Sequence, residues 1–290
     1  MTSAGYAHPE ALVETDWLAA HLDDPDIRVV DGSYFLPAMK RDARQEYESA
    51  HIPGAVFFDI DAISDRSSSL PHMLPDADTF AAAVGALGIG NGHRVIVYDA
   101  LGLMSAARVW WSFRVFGHDA VAVLNGGLPK WKAEGRPLTS VPTSLPAAAF
   151  TAQFRPELVA GIAEIRDRVA SGSPAILDAR APERFAGTAE EVWPGRRRGH
   201  IPGSRNLPYT ELLDPERKTL LPGDAIRAKF EAAGVCLSKQ DGRPWVCSCG
   251  SGITAAALAF AAYLVGRTDA AVYDGSWAEW GLPGDTPVAP

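Results

Sequence analysis

The chain has 290 residues, of which 47% are apolar and 21% charged, and its formal net charge is −8. That length suits two domains with buried cores, and the acidic balance argues against nucleic acid as the main partner. Three cysteines make no disulfide framework, which fits a reducing compartment.

Met1 to Tyr6 has neither a basic n-region nor an apolar h-region, so no signal peptide is expected and the cytoplasm is the expected location. Thr15-Asp16-Trp17-Leu18 reads as a helix start with Thr15 or Asp16 as cap. Ile27 to Val30 reads as a strand ending at Asp31, and Asp42 to Ala50 as a short polar helix. His51-Ile52-Pro53-Gly54 is a turn that continues as extended chain to Phe58. Asp59 to Pro75 is a long polar loop carrying Asp59, Asp61, Asp65, Arg66 and His72, and loops of that length in compact domains are often functional. A helix is predicted from Asp76 to Leu87, a strand over Val95 to Tyr98 and a helix from Ser105 to Phe116. Val121 to Leu124 then reads as a strand and Leu128 to Glu134 as a helix. Strands alternating with helices indicate a parallel α/β sheet.

From Arg136 to about Pro156 the pattern stops, and Pro137, Pro142 and Pro146 mark a linker. It restarts with a strand from Ala175 to Leu177 that ends at Asp178. His200-Ile201-Pro202-Gly203 repeats His51-Ile52-Pro53-Gly54 at an offset of 149, and Trp280 repeats Trp131 at the same offset. Val95-Ile96-Val97 then falls on Pro244-Trp245-Val246, and Asn125-Gly126 on Asp274-Gly275. The chain therefore reads as two copies of one α/β domain, residues 1–138 and 158–290, joined by a linker at 139–157.

Trp245 to Ser248 leads as an apolar strand into the Gly-rich loop Cys249-Gly250-Ser251-Gly252-Ile253-Thr254, which opens an Ala-rich helix from Ala255 to Gly266. The longest apolar run in that segment, Ile253 to Val265, is too short to span a bilayer, so no membrane association is expected. Backbone N–H groups in such a loop can point inward, and the helix dipole adds partial positive charge. Both stabilise a thiolate, so Cys249 is the candidate nucleophile. Cys247 is expected in the core, with a resolving thiol as its alternative role, and Cys236 is expected to be structural. At offset 149 Cys249 falls on Ala100, so one active site is expected, in the C-terminal copy.

A cysteine in this setting suits three chemistries. A cysteine phosphatase needs an arginine near the end of the loop, and no Arg or Lys follows Cys249 before Arg267. A Cys–His acyl-transfer enzyme needs a base, which neither His200 nor His72 identifies by its placement. Sulfur transfer needs only a thiolate and a loop able to hold a persulfide anion. No Cys–His cluster has metal-ligand spacing, and no cofactor is expected.

His51 to Asp61, His72-Met73-Leu74-Pro75, Arg108-Val109-Trp110-Trp111, Gly199 to Gly203, Cys249 to Thr254 and Tyr273 to Trp280 together resemble the two-domain rhodanese superfamily, and within it the 3-mercaptopyruvate sulfurtransferases. The resemblance covers nearly the whole chain. It implies that Cys249 forms a persulfide and that Ser251 stands beside it, completed by His72 and Asp61 as a proton relay. It implies that Arg184 binds the donor's carboxylate or keto oxygen and that the loop residues Gly250, Gly252, Ile253 and Thr254 line the donor site. The family's second substrate arginine is absent, since Trp193 stands there. Arg196 is the candidate replacement, and the run Arg196-Arg197-Arg198 has a solvated surface as its alternative. A neutral loop of Gly250, Ser251 and Gly252 favours mercaptopyruvate over the thiosulfate dianion. The implied partners are a small-molecule sulfur donor and a thiol acceptor such as thioredoxin, or cyanide. A non-catalytic module that binds a partner or senses oxidants through Cys249 is the rival from another class. Trp110, Trp111, Trp277 and Trp280 are expected to pack in cores or at the domain interface.

Overall fold

The computed structural model describes residues 5–172, 175–237 and 244–290. The N-terminal half contains strands β1 (Leu12–Val13), β2 (Ile27–Asp31), β3 (Val56–Phe57), β4 (Arg94–Tyr98) and β5 (Val121–Leu124). Its helices are α1 (Thr15–Ala20), α2 (Ala43–Ser49), α3 (Ala77–Ala86), α4 (Ala106–Val115) and α5 (Gly127–Ala133). The C-terminal half follows the same plan with β6 (Val159–Ala160), β7 (Ile176–Asp178), β8 (Arg205–Asn206), β9 (Val246–Ser248) and β10 (Ala271–Tyr273). Its helices are α6 (Ile162–Ala170), α7 (Pro182–Phe185), α8 (Gly223–Ala232), α9 (Ala255–Leu264) and α10 (Ser276–Trp280).

The sheets run β1-β5-β4-β2-β3 and β6-β10-β9-β7-β8, parallel throughout, so the strand order repeats as the sequence does. Helices on both faces bury each central strand twice over, which is why β4 and β5 read as continuous apolar runs rather than as alternation. α9 is apolar all round because it is buried all round: Ala255 to Ala262 and Leu264 are inaccessible. It packs on α4 of the other half, with Trp110 edge-on to Phe260 at 4.8 Å, so one core runs through both copies. Trp110, Trp111, Trp277 and Trp280 are all buried there or behind the second sheet.

The segment after Arg136 is irregular but bound to the N-terminal half. His51 and Thr139 exchange backbone hydrogen bonds, Ala148 N–H donates to Gly85 and Gln153 N–H to Phe116, and Phe150 enters the core. Its prolines prevent a helix, and these bonds satisfy the backbone instead. Cys236 is exposed rather than part of the core. Among the described residues no helix is long and apolar enough to cross a membrane.

Candidate active site

β9 delivers Cys249 to the carboxyl edge of the sheet, and the chain turns through residues 250–254 into α9. Cys249 is 2% exposed. α10 holds the loop from one side, with Ser276 Oγ accepting from Cys249 N–H at 3.1 Å and the carbonyls of Cys249 and Gly250 accepting from Trp277 and Ala278 N–H. Gly252 has φ +78°, and a Cβ there would lie 2.9 Å from the Asp274 carbonyl and 2.7 Å from Arg108, so only glycine fits. Among the described residues, the amides of residues 250–253 donate to no protein acceptor. Cys247 faces the core, and burial first, then the Cys249 charge, pushes its thiol up to about 12. It remains a protonated thiol at neutral pH.

The other copy shows what such a loop holds. Gly32 N–H donates to the Tyr98 carbonyl as Ala179 N–H does to Ser248, and Leu128 N–H donates to Asp99 as Trp277 N–H does to Cys249. Strand register agrees, with Asp31 opposite Tyr98 and Asp178 opposite Ser248. The structural counterpart of Cys249 is therefore Asp99, not Ala100 as a constant offset would have it. The N-terminal loop, residues 100–105, is one residue longer, which shifts the alignment. Asp99 is fully buried, and its carboxylate accepts from the amides of Leu101, Gly102, Ser105 and Ala106 at 2.7–2.8 Å. The duplicated loop is an anion cradle with a carboxylate in place of the thiol.

Arg184 lies over the Cys249 loop. A Cβ on Gly250 would be 3.0 Å from its Nη2 and 3.7 Å from its Nη1. Its Nε and Nη2 donate to Glu191 Oε2 at 3.1 and 2.5 Å. Glu191 Oε1 accepts from Arg180 at 2.7 Å, and Arg180 also donates to Asp178 and rests on the Trp277 ring. Burial works against the Arg180 cation, but Asp178, Glu191 and Cys249 outweigh it and raise its pKa above the ordinary arginine value.

The N-terminal half supplies the opposite wall. Asp61 Oδ1 accepts from His72 Nδ1 at 2.6 Å, because a carboxylate can only accept. The His72 ring is buried between Tyr34, edge-on at 4.7 Å, and Trp193, edge-on at 5.5 Å. Its Nε2 has no hydrogen-bond partner among the described residues, so the Asp61–His72 step of the expected relay is formed and the His72–Ser251 step is not. Ser251 is buried in the loop, Ile253 packs in the core and Thr254 leads into α9. Trp193, at the position of the expected second arginine, puts its ring against His72. Arg196 does not replace it by a free swing: Nε donates to the Ala278 carbonyl at 2.9 Å and Nη1 to that of Pro194 at 2.8 Å. Arg197 binds Thr286 and Trp280, and Arg198 pairs with Glu190.

Two residues missed in the sequence reading tie the walls together. Arg108 Nη1 donates to Asp274 Oδ1 at 2.6 Å, both side chains at most 5% exposed, and Nη2 donates to the His72 carbonyl. Asp274 Oδ2 accepts from Leu74 N–H at 2.7 Å. The signal for Arg108 was a cation in the first turn of a mostly apolar helix, followed directly by Val109-Trp110-Trp111.

Residues 14–134 and 162–282 each match the model of the rhodanese-like domain. The chain is 45% identical to the 3-mercaptopyruvate sulfurtransferase of Homo sapiens over 93% of its own length and 91% of that protein's. It is 43% identical to the thiosulfate sulfurtransferase of Bos taurus, over 93% and 91%. The crystal structure of SseA from Escherichia coli, solved among the 3-mercaptopyruvate sulfotransferases, superposes with a TM-score of 0.83 at 41% identity, over 93% of this chain and 99% of that one.

Proposed function

The chain belongs to the rhodanese-like family and is a sulfurtransferase, and from that premise we propose that it moves sulfur from 3-mercaptopyruvate through a persulfide on Cys249 to a thiol acceptor, or to cyanide, and releases pyruvate. The observation that carries this reading is the paired cradle. The copy without a nucleophile holds a carboxylate on four loop amides, and the copy with Cys249 has loop amides with no protein acceptor, ready for a sulfur anion.

The Cys249 thiolate attacks the thiol sulfur of the donor. The carbon–sulfur bond breaks, its electron pair stays on carbon, and the enolate of pyruvate takes up a proton through Ser251, which regains one from the donor thiol. The outer sulfur remains as Cys249–S–S⁻ over the amides and next to α9, whose N-terminal dipole favours the anion. Attack by the acceptor thiolate on that outer sulfur then returns the Cys249 thiolate, a ping-pong cycle. Ser251 delivers the enolate's proton, and His72 with Asp61 supports it after the ring moves toward the loop. Arg184 takes the donor's carboxylate on its outer edge, an arrangement guanidinium suits. Gly250 and Gly252 let the donor approach the backbone, and Ile253 and Thr254 close the loop into α9. Thioredoxin is the proposed acceptor class, because a dithiol reduces a persulfide with release of hydrogen sulfide. The proposed compartment is the cytoplasm, where Cys247 and Cys249 stay as thiols.

The test is pyruvate release from 3-mercaptopyruvate with a dithiol acceptor, set beside thiocyanate formation from thiosulfate and cyanide. The reading requires both the wild-type activity with mercaptopyruvate and its loss in Cys249→Ser. Thiosulfate turnover alone would transfer the reading to the donor in the bovine relative's name.

A further inference from the structure

We propose that Glu191 is a positioning residue of the donor site: it takes one edge of Arg184, turns the other toward the Cys249 loop and restricts the site to donors with a single carboxylate. This rests on the reading of Arg184 as the carboxylate receptor.

Three links lead from the core to the cleft. Arg180 has a side chain that is fully buried and is fixed by Asp178, by the Gly199 carbonyl and by the Trp277 ring. Glu191, with a side chain only 2% exposed, is bound to that cation through Oε1. Arg184 is bound to Glu191 through Oε2. α7 has four residues and gives Arg184 no other restraint on its long side chain. Glu191 consumes the Nε proton and one Nη2 proton. Nη1, which has no hydrogen-bond partner among the described residues, and the second Nη2 proton remain on the side near Gly250. Those are the donors of a parallel pair, the geometry of one carboxylate.

Charge sets the limit. Asp178 and Glu191 balance Arg180 and Arg184, so the cluster carries no net positive charge and can hold an anion only through the directed N–H pair left on Arg184. Trp193 puts an aromatic edge against His72 across the cleft, and Arg196 is engaged by two carbonyls. That pair can orient one carboxylate, while a dianion brings a second charge that this cluster meets with neither a further N–H pair nor a net positive charge.

The test uses full-length Cys249→Ser protein and calorimetric binding of pyruvate, so it needs no turnover and its outcome is separate from that of the sulfur-transfer assay. Glu191→Gln in this background is expected to weaken pyruvate binding roughly tenfold, the scale of a lost charge-assisted contact, and to tighten thiosulfate binding. Arg184→Ala should weaken pyruvate to a similar degree, and adding Glu191→Gln to Arg184→Ala should change it little. In active protein the same substitution should raise KM for mercaptopyruvate and leave kcat within about threefold. Unchanged pyruvate binding in Glu191→Gln, or equal weakening with and without Arg184, overturns the proposal. Thermal unfolding checks the fold. If Glu191→Gln fails that check, Glu191→Asp carries the test under the same two criteria, since it keeps the charge beside Arg180 and withdraws the oxygen from Arg184.

Discussion

Asp99 and Cys249 occupy the same place in the two copies of the domain, each at the end of the central strand with its carbonyl capped by an amide of the next helix but one, α5 or α10. One is a carboxylate that its own loop has already satisfied. The other is a thiol whose loop has donors to spare.

Exchange of these side chains has opposite consequences in the two copies. Cys249→Asp is expected to abolish sulfur transfer and to raise the melting temperature by about 2–4 °C, the shift that ~1 kcal/mol gives in a chain of this size. Asp99→Ala leaves four amides, three of them buried, without an acceptor and is expected to cost about 3 kcal/mol or more, with persulfide formation at Cys249 retained in the folded fraction. Thermal unfolding and a sulfur-transfer assay on both variants check this.

Arg108 and Asp274 form the buried ion pair that fastens the His72 segment to the Cys249 loop. Arg108→Ala strands a buried carboxylate, so a loss of about 3–5 kcal/mol is expected in urea unfolding. Activity should fall by more than the unfolded fraction explains, because His72 and Leu74 lose their anchor. Arg108→Lys should not restore it, since an ammonium cannot reach both Asp274 and the His72 carbonyl with a planar fork.

Trp193 stands edge-on to His72 at 5.5 Å, beside the proposed donor site. Trp193→Arg adds a second guanidinium near His72 and is expected to raise kcat/KM for thiosulfate roughly tenfold relative to mercaptopyruvate. Steady-state kinetics with both donors decide it, and an unchanged ratio contradicts the role given to the ring.

The fold was legible because its signals are local and repeated. β4, β5, α4 and the Cys249 loop follow from apolar runs, glycines and a helix start, and the doubled His-Ile-Pro-Gly turn gave the duplication. The site was legible only in part. Cys249, Gly252 and Arg184 sit in local motifs, but Arg108 and Asp274 meet across 166 positions of chain, and Arg180 and Glu191 meet through an irregular segment that no periodicity describes. Asp99 was missed by one position because a loop one residue longer breaks a constant offset without leaving a mark in the pattern.

Cys247 gives a pH dependence of defined sign. Its thiol rises from the usual 9.0 to about 12, so the folded state binds its proton more tightly than the unfolded state. That contribution is complete below about pH 9 and is lost as pH rises toward 12. Unfolding free energy measured between pH 8 and about 11 should therefore fall less steeply in Cys247→Ala than in the wild type. In the same way a thiol reagent near neutral pH should label Cys249 and spare Cys247.

In the proposed cycle Cys249 Sγ is the atom that holds the transferred sulfur. Intact-mass measurement of the purified protein after mixing with 3-mercaptopyruvate, followed by peptide mapping, tests it most directly. The account predicts one added sulfur on the peptide containing Cys249, removed by a dithiol and absent in Cys249→Ser. An added sulfur on Cys236 or Cys247, or no added sulfur from mercaptopyruvate or thiosulfate, would contradict it.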